Sequence, residues 1–110
     1  MDRLVWDGGN RGHLAERNAE RAAAGQAPIS ESECDAMYLS GDWAWADVEH
    51  LTGHGELVVQ RRFSGRTPAG RFLTLACDLT GDGAYRPATV WPSSAEEQAR
   101  YWAWKRERQG

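Results

Sequence analysis

The sequence predicts an α+β fold, an antiparallel sheet of about four strands with helices packed mainly on one face. Three observations point there. Between residues 56 and 91, three β-favouring stretches follow one another across short turns, a connection that antiparallel neighbours can use and parallel ones cannot. Residues 10–24 and 31–40 carry helix-forming composition or spacing, and a last helical stretch follows Pro92. A chain of 110 residues with 41% hydrophobic content can fill one core but not two, so residues 1–110 are read as a single domain.

Taken in order, Arg3, Leu4, Val5 and Trp6 form a short β-favouring stretch that Asp7, Gly8, Gly9 and Asn10 end as a turn. This first strand should join the same sheet, at a place the sequence does not fix. From Asn10 to Ala24 the alanine, glutamate and arginine content is helical, and Gly25 followed by Pro28 stops it. Asn10, His13 and Arg17 share one face of that helix. Ser30 and Glu33 form a capping box that starts a second helix, with Cys34, Met37 and Tyr38 as its buried stripe and Gly41 as its end. Residues 41–55 are the least regular stretch. Trp43 and Trp45 alternate and can share a face of a short extended segment.

Residues 56–63 and 71–79 read as the two strands of a central hairpin, with Gly65, Pro68 and Gly70 supplying its turn. In the second of them Leu73, Leu75, Cys77 and Leu79 are expected to face the core. Residues 84–91 return as a further strand, in which Pro87 requires an unpaired side or a bulge. Ser93 and Ser94 then start a helix with Tyr101 and Trp104 on its stripe.

Charge is unevenly spread. Residues 22–60 carry seven acidic and no basic side chains, whereas residues 61–110 carry nine basic and five acidic ones. One part of the molecule can attract a polyanion while the middle repels it. Arg61, Arg62, Arg66 and Arg71 crowd the central hairpin. Because side chains alternate at period two, Arg61 and Arg71 need not face the same way as Arg62 and Arg66. An outward group of guanidiniums suits phosphate, and the plainer reading is a solvated hairpin whose charges discourage edge pairing. Cys34 and Cys77 stand apart in apolar patterns and are expected to be packed, reduced thiols. His50 and His54 are four apart, but Gly53 and Gly55 weaken any helix that would hold both rings, so no metal site and no cofactor is expected. The chain has no apolar run of membrane-spanning length and no signal-peptide core, and a cytoplasmic location is expected.

The series Trp6-Asp7 with Asn10 and His13, Ser30 with Glu33, Gly65-Arg66-Thr67 with Gly70-Arg71, Arg86 with Thr89, and Glu97 four before Tyr101 resembles the BrnT family of type II toxins, which are small RelE-like proteins. The likeness runs in order along nearly the whole chain. It implies a metal-independent endoribonuclease in which the ribose 2′-hydroxyl attacks the adjacent phosphate. It also implies a ribbon-helix-helix antitoxin as partner, with RNA as substrate, no membrane, and DNA met only through the antitoxin complex. Carried over by position, Arg66, Arg71 and Arg86 would hold phosphate and His13 would transfer the proton, a role to which histidine as a residue type is suited. Arg61, Arg62 and Tyr101 would touch substrate. Trp91 stands where the family commonly has an arginine, and residues 40–56 are longer and more acidic than is usual there.

The competing reading is a non-enzymatic or degenerate module of the same fold that docks a protein partner through its acidic, tryptophan-bearing middle. The two readings differ on whether His13 and the hairpin arginines converge on one open cleft.

Overall fold

The computed structural model of the chain describes residues 3–109. Two helices come first, α1 (Gly8–Ala23) and α2 (Glu31–Ser40), followed by four strands, β1 (Trp43–Leu51), β2 (Leu57–Arg66), β3 (Phe72–Leu79) and β4 (Tyr85–Pro92), and then by α3 (Ala95–Gln109). The strands pair antiparallel in the order β1-β2-β3-β4, as consecutive strands on short turns must. The α+β class and the four-stranded antiparallel sheet therefore follow the sequence reading, but the strand membership differs.

Residues 3–6 make no strand. Leu4 forms a single parallel bridge to Tyr85, and the fourth strand is β1, inside the stretch that looked least regular. Nor is the segment 7–10 a turn that ends a strand. Asp7 caps α1 by accepting from the Asn10 backbone N–H at 3.0 Å, while the Asn10 side chain accepts from the Asp7 N–H at 2.7 Å. The helix thus begins at Gly8, two residues earlier than composition suggested. α2 starts on the Ser30–Glu33 capping box and ends at Gly41, whose φ of 72° is open to glycine at little cost. Ser94 and Glu97 repeat the capping exchange for α3, with the Ser94 N–H donating at 2.7 Å and the Glu97 N–H donating back at 3.1 Å.

Alternation divides the sheet into two working faces. Phe63, Leu73, Leu75, Cys77 and Val90 point to one side and pack on Leu14, Ile29, Cys34, Met37 and Tyr38 of the α1 and α2 layer. Leu79, expected in this row, is 64% exposed because the helices end short of it. Ser64, Arg66, Phe72 and Thr74 point to the other side, where α3 lies with Tyr101 edge-on to Phe72 at 5.4 Å. Beneath α3 the hydroxyls of Ser64, Thr74 and Ser93 form a buried chain, 3.0 and 2.9 Å long at its two links. Cys34 and Cys77 are free, buried thiols, and burial pushes the Cys34 pKa up to about 12, which keeps it protonated and unreactive.

The two sheet edges are treated differently. On the outer side of β4 the Asn10 amide donates to the Pro87 carbonyl at 3.0 Å, buried Arg21 donates to the Val90 carbonyl at 2.7 Å, and the Val5 N–H donates to Tyr85 at 2.9 Å. A register shift at Ala76/Cys77 accommodates Pro87, as the sequence required. Nothing among the described residues pairs with the outer side of β1.

Asp42, in the turn between α2 and β1, anchors α3. Its carboxylate accepts from Lys105 and from the Tyr101 hydroxyl, both at 2.7 Å, and Arg66 lies 3.7 Å away. Burial pushes the Asp42 pKa up, but those donors outweigh it and the net shift is downward; Arg86 likewise holds Asp7 well below the usual carboxylate range. A carboxyl with a depressed folded pKa stabilises fully above its unfolded value of about 3.9, and that contribution is lost as pH falls through the folded value. The urea midpoint is accordingly expected to stay flat from about pH 7 to 5 and to drop below about pH 4. Asp42→Asn should be less stable at neutral pH and show a shallower acid drop. An unchanged acid limb in that variant would remove Asp42 from the account.

Candidate functional site

The α3 face carries a half-buried arginine with no carboxylate beside it among the described residues. Arg62 stands on β2 opposite Ala76, whose neighbour on β4 is Thr89, and Trp91 follows two residues along on the same face. The Arg62 guanidinium lies 5.3 Å from the centre of the Trp91 ring. Its Nε is buried and has no hydrogen-bond partner, and no carboxylate pairs with it among the described residues. A buried donor without a partner costs about 1–3 kcal/mol. Trp91 is held in place by its indole N–H, which donates to both oxygens of Glu97 at 3.0 and 3.2 Å. Burial pushes the Glu97 pKa up, yet the Ser94 and Trp91 donors bring it below its ordinary value, so Glu97 is an ionised clamp behind the ring. Arg66, four residues along β2, lies 5.4 Å from the Trp102 ring on the same face and has only the longer contact to Asp42.

His13 approaches from the rim. It lines a cavity beside Thr89 and Pro87 of about 10 Å³, room for roughly one water. That space is too small for a substrate. Next to it Arg17, Thr89 and Trp91 line an open cleft of about 440 Å³ along the outer side of β4. Thr89 and Arg17 border both spaces, so the rim of α1 and the Trp91 end of the α3 face form one continuous strip. Comparison with known proteins leaves the strip to be judged on its own chemistry. No family model, no curated protein and no solved structure matches the chain.

The residues singled out in the sequence are distributed over the molecule. Arg62, Arg66 and Tyr101 share the α3 face, and His13 meets Thr89 at its rim. Arg61 is on the opposite face, where it lies 3.9 Å from the Trp45 ring centre and forms a two-pronged pair with Asp47 at 2.8 and 3.0 Å. Arg71 donates to the Ala27 and Pro28 carbonyls and to Glu33, tying the hairpin turn to the start of α2. Arg86 pairs with Asp7 at 2.7 and 3.0 Å, fixing β4 to the cap of α1. The Arg66 and Arg86 positions are six residues apart along β3, roughly 20 Å at strand rise. Arg66, Arg71 and Arg86 therefore do not converge, which counts against the ribonuclease reading and leaves it to rest on Arg62 and Arg66 of the α3 face. Tyr101 is fully buried, its hydroxyl committed to Asp42.

What sequence reasoning missed is the Arg62–Trp91 pair. Thr89 and Trp91 are two apart and share a face of β4, but only the β2-β3-β4 register, with its shift at Ala76/Cys77, shows that Arg62 meets them. Among the described residues no group of three or more His, Cys, Asp or Glu side chains is placed to hold a metal ion, and no helix is long and apolar enough to cross a membrane.

Proposed function

We propose that the chain is a toxin-like endoribonuclease that takes single-stranded RNA along the strip from the α1 rim to the α3 face. The observation that carries this reading is Arg62, a guanidinium without a carboxylate, backed by an aromatic ring and presenting a buried donor with no acceptor. A phosphate oxygen can meet the terminal nitrogens of Arg62, which no described residue engages, and a base can stack on Trp91, the two contacts on which single-strand binding relies. Two helices, four consecutive antiparallel strands and a last helix on the other face fit the RelE-like arrangement that the sequence resemblance implies.

The chemistry follows from the 2′-hydroxyl. Its oxygen attacks the neighbouring phosphorus while His13 accepts its proton, the bond to the 5′ oxygen breaks, and that oxygen leaves on taking a proton from water. The products are a 2′,3′-cyclic phosphate and a 5′-hydroxyl. Arg62 and Arg66 stabilise the charge that builds on the non-bridging oxygens. Arg71 and Arg86 act in this reading by holding α2 and α1 against the sheet rather than by touching RNA. The partner expected with such a toxin is a ribbon-helix-helix antitoxin, and co-purification from a co-expressing strain tests it.

The direct test is cleavage of end-labelled single-stranded RNA by the purified chain in the presence of a metal chelator. Arg62→Ala should lower the rate about a hundredfold with the fold intact by circular dichroism. His13→Ala should remove most of the rate, again with the fold intact by circular dichroism. Folded wild-type protein that leaves RNA whole would sink the nuclease reading.

A further inference from the structure

We infer that the bare edge of β1 is a docking strip for an extended, basic polypeptide segment, which joins the sheet as a fifth strand. The two edges make the case by contrast. β4 has its outward carbonyls at Pro87, Val90 and Tyr85 taken by the Asn10 side chain, the Arg21 side chain and the Val5 N–H, whereas β1, nine residues long, has no such cover among the described residues. A long uncovered edge is ordinarily blunted by lysine, proline, a bulge or inward charge; β1 has no lysine, proline or bulge, and its charges, Asp47 and Glu49, are acidic, which resists a like strand but not a basic one.

The surface beside that edge is apolar and acidic together. On the face shared with α1 and α2, beyond the reach of those helices, lie Trp45 at 51% exposure, Val59 at 59%, Leu57 at 64% and Leu51 at 65%. Glu49 pairs across the strands with Val59 and has no cation beside it among the described residues, while Asp47, two residues before it, is already matched by Arg61. The region from residue 22 to 60 contains no lysine or arginine.

That charge pattern chooses the occupant. A second copy of this chain pairing β1 to β1 would set one acidic strand against another and bring no cation from the same segment to meet Glu49. A basic segment with alternating apolar residues would give main-chain hydrogen bonds to the open edge, an apolar contact on Trp45, and a cation for Glu49. Arg62 stands opposite Ala46 of β1, but its side chain and Trp91 are on the other face of the sheet from Trp45 and Glu49, so the strip stands independently of the ribonuclease reading.

The probe is a fluorescein-labelled nine-residue peptide alternating lysine with valine, titrated against the full chain and read by anisotropy. It should bind, and a glutamate-valine peptide and a lysine-valine peptide with alternate amides N-methylated should not, since the last keeps the charge and apolar surface but cannot extend the ladder. Glu49→Lys should weaken binding about tenfold. Arg62→Ala should leave it unchanged, which separates this strip from the RNA site. Equal binding of the N-methylated peptide would overturn strand addition, and indifference to Glu49→Lys would overturn the charge match. Failure of the lysine-valine peptide to bind, or self-association of the chain that Glu49→Lys alters by sedimentation equilibrium, would overturn the assignment of a basic segment as occupant.

Discussion

Gly65→Ala is expected to destabilise the protein by about 3 kcal/mol, at the upper end of what one added methyl group does. Gly65 lies opposite Trp43 at the start of β1, and a Cβ built there would overlap the Asp42 carbonyl oxygen and come within 2.6 Å of the Trp43 Cβ. These are backbone atoms and the root of a fixed side chain, so β1 would have to move as a unit. Trp43 cannot yield easily. It stacks on Tyr38 at 5.7 Å, meets Phe63 edge-on at 4.7 Å, and donates its indole N–H to the Tyr38 carbonyl at 2.9 Å. The same displacement would disturb Asp42 and hence the seat of α3. Urea denaturation followed by tryptophan fluorescence measures the loss, with Gly70→Ala as the comparison. Gly70 has a φ of 91° but open space around it, so its substitution should cost only about 1 kcal/mol from backbone conformation. If Gly65→Ala proves the milder of the two, the close approach of β1 to β2 at this point is not as tight as described.

Tyr101→Ala should destabilise by about 4 kcal/mol, whereas Tyr101→Phe should cost only about 1–2 kcal/mol. The ring is fully buried and packs against Phe72, Trp102 and Trp104 at 5.4, 5.0 and 5.8 Å. Truncation leaves a cavity among aromatic rings that have nowhere to collapse, while the phenylalanine variant loses only the hydrogen bond to Asp42. The sequence also allowed Tyr101 to be a substrate contact. The two roles separate in the phenylalanine variant, which should keep RNA cleavage near the wild-type rate at a temperature where it is folded. A large loss of rate with little loss of stability would return the hydroxyl to the chemistry.

The parts of the fold legible in the sequence are those fixed by neighbours in the chain. The Ser30–Glu33 exchange, Gly41 as the left-handed end of α2 and the turn at Gly70 each involve residues within a few positions of one another. The start of α1 was obscured because its reciprocal cap uses Asn10 where Glu or Gln is usual, and two glycines stand between the partners. β1 was obscured because its pattern breaks after Trp45. Asp47 occupies an inward row that an apolar residue would ordinarily fill, and its partner Arg61 is fourteen residues away. The same long reach hid the fates of the arginines. Arg71, Arg86 and Arg62 look alike in sequence, yet the first holds carbonyls of the loop before α2, the second holds Asp7, and only the third is left with a donor to offer.

The row of hydroxyls beneath α3 bears on which alignment of strands is permitted. Ser64 and Thr74 face each other across β2 and β3, and Ser93 reaches Thr74 from the end of β4. Sliding β2 by one residue would set Ser64 against Leu73 or Leu75, turn Phe63 outward and leave buried hydroxyls with no partner. Apolar residues of the same shape could hold the three strands about as firmly, but would not penalise a slipped pairing in this way. The row works as a key cut into an otherwise smooth joint: it selects one fit among several, and so keeps Arg62, Thr89 and Trp91 in step with each other.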